Sequence, residues 1–167
     1  METFQLITLI ILGLVVLICY YFYLVKYSKS GYIEHKFWFG IPPNVVKMLI
    51  VFQLFALIGF LTTIISWIKS PPKKGIMSGN NLFYALILFL VSASIWPIAT
   101  YHKIHWLVIL SLILTAISSI LLLAGTIEEA KEDIKWYKVL GMLSLCLVTV
   151  LADGVLWNAN YIKKLKN

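Results

Sequence analysis

Five apolar runs, each about the length of a bilayer crossing, alternate with short stretches where lysine, proline, glycine and acids collect. A helix needs about twenty mainly apolar residues in a row to cross the hydrocarbon core. The pattern therefore predicts spans over 4–25, 44–68, 82–100, 104–124 and 136–161. No basic segment precedes the first run, Phe4 to Val25, and Tyr20-Tyr21-Phe22-Tyr23 stands where a cleavable signal would want small residues. That run is expected to be kept as a helix. Ahead of the second span lie an aromatic cluster, Phe37-Trp38-Phe39, and then Pro42-Pro43. A proline fits the first helical turn, where its missing N–H would have no partner, so the helix should start near Asn44. Two prolines and two glycines between Lys69 and Asn81 break any helix there. The third span carries Pro97 near its end, and a short turn around Tyr101 to Lys103 leads into the fourth. Gly125 predicts the stop of the fourth helix. Thr126 with Glu129 fits a capping box opening a short charged turn that ends at Lys135. The expected fold class is all-α: one integral membrane domain over 1–167, a bundle of five transmembrane helices.

Composition sharpens that picture. The 167-residue chain is 61% hydrophobic and 13% charged, with a mean hydropathy of +0.93. A soluble domain of this size cannot hide so much apolar surface, so the lipid bilayer is the first expected partner. The formal charge is +7, and all fourteen basic residues are lysines. They lie in the connections and the tail, where they suit anchoring against anionic lipid, and no nucleic-acid partner is expected. Five spans put the termini on opposite sides. With the N-terminus outside, the inner side receives Lys26, Lys29, Lys36, Lys47, Lys103, Lys163, Lys164 and Lys166. The outer side receives Lys69, Lys73, Lys74, Lys131, Lys135 and Lys138. The excess favours an outside N-terminus and a cytoplasmic C-terminus. Cys19 and Cys146 sit in different apolar runs without a Cys-x-x-Cys, which argues against thiol redox chemistry and for small buried apolar residues.

Polar groups inside the spans are the candidates for function, because they are costly there. Asp153 is the clearest, with Thr149 four residues before it and Trp157 four after it, on one face of an ordinary helix. Asn160 follows seven residues on. A proton relay, a substrate contact and a hydrogen bond to a neighbouring helix are the readings open to Asp153. Gln53 is the polar residue of the second span. Ser111, Thr115 and Ser118 recur at helical spacing on the fourth, as do Ser92 and Trp96 on the third. Such stripes are expected to pack helices together, or, if they converge, to line an apolar cavity with a few polar points. Trp38, Trp67, Trp96, Trp106, Trp136 and Trp157 all fall near span ends, where tryptophan favours the headgroup level. His102 and His105 are three apart but have no third His or Cys nearby, which falls short of a metal or haem site. Glu128-Glu129 is similar to the acidic pair of intramembrane prenyl-proteases, but no partner Arg or helix-embedded histidines follow. No catalytic constellation appears, so no enzyme activity, no metal and no required cofactor are expected.

One family resemblance runs through these residues. Pro42-Pro43-Asn44 is followed by Leu54-Phe55 and Gly59; Phe83-Tyr84-Ala85 is followed by Trp96-Pro97-Ile98; Asn160-Tyr161 closes the chain with Asn167 seven on. In these stretches the chain resembles the TspO/translocator protein family, the tryptophan-rich sensory proteins, which are five-helix membrane proteins of similar length. The family's tryptophan shortly after Pro-Pro is Val45 here, and its Pro-Tyr-Leu-x-Trp is replaced by Leu143 to Val148. The resemblance implies a homodimer that binds or transports a hydrophobic ligand such as a sterol, a porphyrin or haem. Trp38, Pro42, Pro43, Phe55, Trp96 and Asn160 would carry ligand binding over. Phe37, Trp38 and Phe39 would lie over the helix mouths, with Asn160 or Asp153 at the ligand's polar end. Two other classes stay open: a structural membrane protein within a larger complex or a virion membrane, and a small ion or proton channel.

Overall fold

The computed structural model describes residues 2–26, 41–70, 72, 75–130 and 136–166. Within them α1 covers Thr3–Tyr20 and runs on into a wider π-helical turn, Tyr21–Lys26. Next come α2 over Pro43–Lys69, α3 over Asn80–Tyr101 and α4 over His105–Ala130. The last crossing is a continuous helical path in three parts: α5 over Trp136–Leu147, a π-helical segment over Val148–Trp157, and α6 over Asn158–Lys166. Five helices are long and apolar enough to cross a membrane, Thr3–Tyr23, Pro43–Lys69, Asn80–Tyr101, His105–Glu129 and Trp136–Lys163. The protein is an all-α, multi-pass integral membrane bundle.

Local chemistry sets the helix ends. Pro42 caps α2 and Pro43 is its first helical residue, while the Val45 and Val46 amides bond the Pro42 carbonyl at 2.9 and 3.1 Å. At the end of α3, Lys103 takes a left-handed conformation (φ 58°), which lets the Ile104 amide reach back to the Ala99 carbonyl at 2.9 Å. This tight reversal makes α3 and α4 antiparallel neighbours.

In space the crossings follow the order α1, α3, α4, α5, α2. Among the described residues, the backbones of α1 and α2 do not pack as neighbours although they are consecutive in the chain. Side chains from both ends of this order still meet in one core. Leu9, Leu12 and Val16 of α1 share it with Leu49, Ala56 and Phe60 of α2. Phe60 and Phe89 of α3 bring their ring centroids within 5.3 Å. The joint between α2 and α5 is made by two glycines. A Cβ on Gly59 would lie 2.3 Å from the Gly141 Cα, so the two backbones touch where no side chain fits. Close backbone approach through small residues is a main source of helix adhesion in lipid.

Hydroxyls join the remaining helices. Thr115 of α4 donates to Ser92 of α3 at 2.8 Å, and Thr149 donates to Ser119 of α4 at 2.6 Å. The hydroxyl stripes are thus helix-packing faces. They also form a polar layer, with Ser92 and Ser94 on α3, Ser111, Thr115, Ser118 and Ser119 on α4, and Thr149 on the last crossing, all buried. One apolar cluster lies in the chain on each side of it: α3 leaves the first at Leu90 and enters the second at Trp96.

The predicted end of the fourth helix is corrected. Gly125 does not stop α4, which continues to Ala130. A Cβ at Gly125 would lie 2.0 Å from Met77 Cγ, so this glycine admits the connection between α2 and α3 onto the helix. Thr126 accordingly caps nothing; its hydroxyl donates to the Leu122 carbonyl inside the helix at 2.8 Å.

Gly141→Leu should therefore force α2 and α5 apart. Overpacking of this kind costs about 1–3 kcal/mol, read as a lower unfolding midpoint in detergent. Gly13→Leu, where nothing lies within 4 Å of an added Cβ, should leave the midpoint unchanged.

Candidate functional site

At the end of the bundle where α1 finishes and α2 begins, aromatic side chains from α1, α3, α4 and the last crossing converge. The Trp96 indole N–H donates to the Tyr20 hydroxyl at 3.0 Å, and the two rings meet edge-on. Trp96 then packs edge-on against Trp157 with centroids 5.3 Å apart. Trp157 stacks on Tyr161 at 5.2 Å with an interplanar angle of 16°. The Tyr161 hydroxyl hydrogen-bonds His105 Nδ1. Ala99, Val108 and Leu112 fill the space around these rings. Offset and edge-to-face geometries of this kind are the favoured ones for aromatic pairs, worth about 0.5–1.5 kcal/mol each beyond area burial.

The backbone beneath this group is unusual. The last crossing widens to π-helix over Val148–Trp157, a departure that is rare and concentrates at functional sites. Thr149 and Trp157 are buried against α4 and α3, and Asp153 between them is half-buried. Asn158, one position past the widened segment, is 7% exposed; its amide N–H donates to the Gly154 carbonyl at 3.1 Å. Among the described residues, its Oδ1 is a buried side-chain acceptor without a hydrogen-bond partner.

The opposite end is closed by charge. Glu129 of α4 accepts the Lys138 ammonium of α5 on one oxygen at 2.6 Å and the Trp67 indole N–H of α2 on the other at 2.7 Å. Lys138 is 3% exposed. Beside it, Glu128 accepts the Ile76 backbone N–H at 2.7 Å, which holds the connection between α2 and α3 over the end of α4. The sequence places Glu128 and Glu129 in a charged connection and Lys138 at the start of the fifth span, and nothing in their spacing marks the three-helix contact.

The residues singled out from sequence separate into groups. Trp96 lies in the aromatic group. Pro42 and Pro43 form the start of α2 and are exposed. Phe55 is 61% exposed on the outer face of α2, where lipid meets it. Asn160 is half-buried and donates to its own helix at the Leu156 carbonyl. Asp153 lies in the π-helical segment. Trp38, with Phe37 and Phe39, lies outside the described residues. Trp106 and Trp136 are exposed at span ends, as belt residues are, but Trp67, Trp96 and Trp157 are buried and bonded or stacked within the bundle. Asn158 was missed, because an Asn near a span end reads from sequence as an interfacial residue.

Comparison with protein-family models, with characterised proteins and with solved structures finds no match to this chain.

Lys138→Ala would leave the half-buried Glu129 carboxylate with only an indole N–H for company. Loss of one partner of a buried pair typically costs about 3–5 kcal/mol, expected as a marked fall in resistance to denaturant in detergent. The combined change Glu129→Gln with Lys138→Met removes both charges and should recover most of that loss.

Proposed function

We propose that this protein binds a hydrophobic small molecule within the membrane, at the aromatic end of the bundle where α1 meets α3 and the last crossing. The single observation that carries the reading is that Tyr20 of α1, Trp96 of α3 and Trp157 and Tyr161 of the last crossing meet in one apolar cluster with a few polar atoms at this end of the bundle. Apolar walls with a few polar atoms are what such a ligand requires. α1 also suits a helix that yields to a ligand. It is held chiefly on α3, and of its residues only Leu9 and Cys19 are buried. This reading has the same sense as the resemblance to the TspO/translocator family, and a sterol or a porphyrin is a reasonable first probe.

Charge placement supports an outside N-terminus. Lys69, Lys73, Lys74, Lys131, Lys135 and Lys138 fall on the N-terminal side against eight lysines on the other.

A rigid structural subunit is the alternative outcome. Titration of the purified chain in nanodiscs with a sterol and with protoporphyrin separates the two. Saturable binding of either probe is expected, and Trp96→Ala should weaken it by about 1–3 kcal/mol, the worth of one buried aromatic wall. No saturable binding to the wild type would leave the structural role. Tags at the two termini should report opposite sides of the membrane, with the C-terminal tag cytoplasmic.

A further inference from the structure

Asp153 places a carboxyl well inside the bilayer. A Cβ on its neighbour Gly154 would lie 3.5 Å from the Ala116 Cβ, and Ala116 is near the middle of α4. A π-helix closes i→i+5 hydrogen bonds, so one turn takes more than four residues and positions four apart stand nearly above one another. Thr149, Asp153 and Trp157 therefore line one face of the widened segment. That face points into the bundle, because Thr149 donates to Ser119 of α4 and Trp157 packs on Trp96 of α3. Leu151, Val155 and Leu156 take the lipid side. Asp153 thus faces inward, between two buried residues, and is still only half-buried. Its carboxyl borders space that no described side chain fills, one turn from the aromatic group.

Charge decides what that space receives. Among the described residues, Asp153 has neither a hydrogen bond nor an ion pair. Lys138 is held by Glu129 at the far end of the bundle, and Lys47, Lys69 and Lys163 are exposed. α3 carries no charged residue, and the acids of α4, Glu128 and Glu129, lie at that far end. The hydroxyls one turn away bring no free proton. That of Thr149 goes to Ser119 or to its own helix, and that of Ser119 goes to the Ala116 carbonyl at 2.8 Å. Carboxylate and hydroxyls together offer acceptors only. A carboxylate taken out of water is costly until a cation meets it.

We infer that Asp153 pairs with a positive charge on the ligand, and that the ligand is an apolar amine. Its ring or chain lies against Trp96 and Trp157, and its ammonium group lies on the Asp153 carboxylate. The inference rests on the binding reading above and names the ligand's charge. Aromatic faces beside the carboxylate suit the same cation. An anionic ligand would meet like charge at this position, and a neutral one would leave the carboxylate without its counterion.

The test compares pyrenebutylamine, which is protonated near neutral pH, with pyrenebutanol, which has the same shape and no charge. Both are titrated against the full chain in nanodiscs of zwitterionic lipid, with nanodiscs lacking the protein as baseline. Energy transfer from tryptophan to pyrene reports binding. The wild type should bind the amine more tightly than the alcohol by about tenfold or more, the low end for a close charge pair taken out of water. In Asp153→Asn, which keeps the shape and removes the charge, the two probes should bind alike. The comparison of the two probes on the wild type stands even if that variant folds poorly. Equal affinity of the wild type for amine and alcohol overturns the inference. So does a preference for the amine that persists in Asp153→Asn, which would place the cation elsewhere. Saturable binding without preference leaves the binding reading intact, whereas no saturable binding of any probe, sterol and protoporphyrin included, removes both.

Discussion

Helices in lipid gain little by burying leucine against one another, because the lipid tails are as apolar as the side chain. Adhesion must come from contacts that lipid cannot make. In this bundle one of these is the touch of Gly59 on Gly141, where two backbones meet with no side chain between them. That contact fixes α2 against α5, and the rest of the bundle depends on it. It carries Trp67 to the end of the joint, where its indole can reach Glu129. It also leaves α2 on the far side of α5 from α3, so that the path of packed helices starts at α1 and ends at α2.

The two ends of the bundle solve different problems. At the end holding the N-terminus, a carboxylate joins three helices by accepting an ammonium and an indole on separate oxygens. A buried pair with both oxygens used is well satisfied, and its value is more in fixing which helices meet than in net stability. The opposite end is held by rings. The path from Tyr20 through Trp96 and Trp157 to Tyr161 and His105 is bonded at its two termini and stacked in between. Between the ends, hydroxyls cross from α4 to its neighbours. Each such bond in a membrane is worth about 0.6 kcal/mol on average, so the layer registers the helices more than it clamps them.

Several assignments failed for one physical reason: the same residue type serves two purposes that only neighbours distinguish. Gly125 reads as a helix stop, and it is instead a place for Met77 to approach. Trp67 and Trp157 read as headgroup anchors, and they are buried because a partner lies within reach, Glu129 for one and Trp96 with Tyr161 for the other. The stripe of Ser111, Thr115 and Ser118 was legible because small hydroxyl residues at helical spacing serve packing wherever the partner lies.

By itself the sequence determined the solvent and the number of crossings. Five apolar runs of bilayer length, with proline, glycine and lysine between them, leave five helices long and apolar enough to cross a membrane, since that property depends on length and hydrophobicity alone. It could not determine which helix packs on which. In water an apolar stripe faces the core and reveals the inner side of each helix; in lipid apolar residues face outward as readily as inward, so Phe55 toward lipid and Phe60 toward α3 carry the same signal. The order of the helices, the three-helix contact at Glu129, the aromatic group and the orphan oxygen of Asn158 were decided only by tertiary structure, because each depends on atoms from helices far apart in the chain.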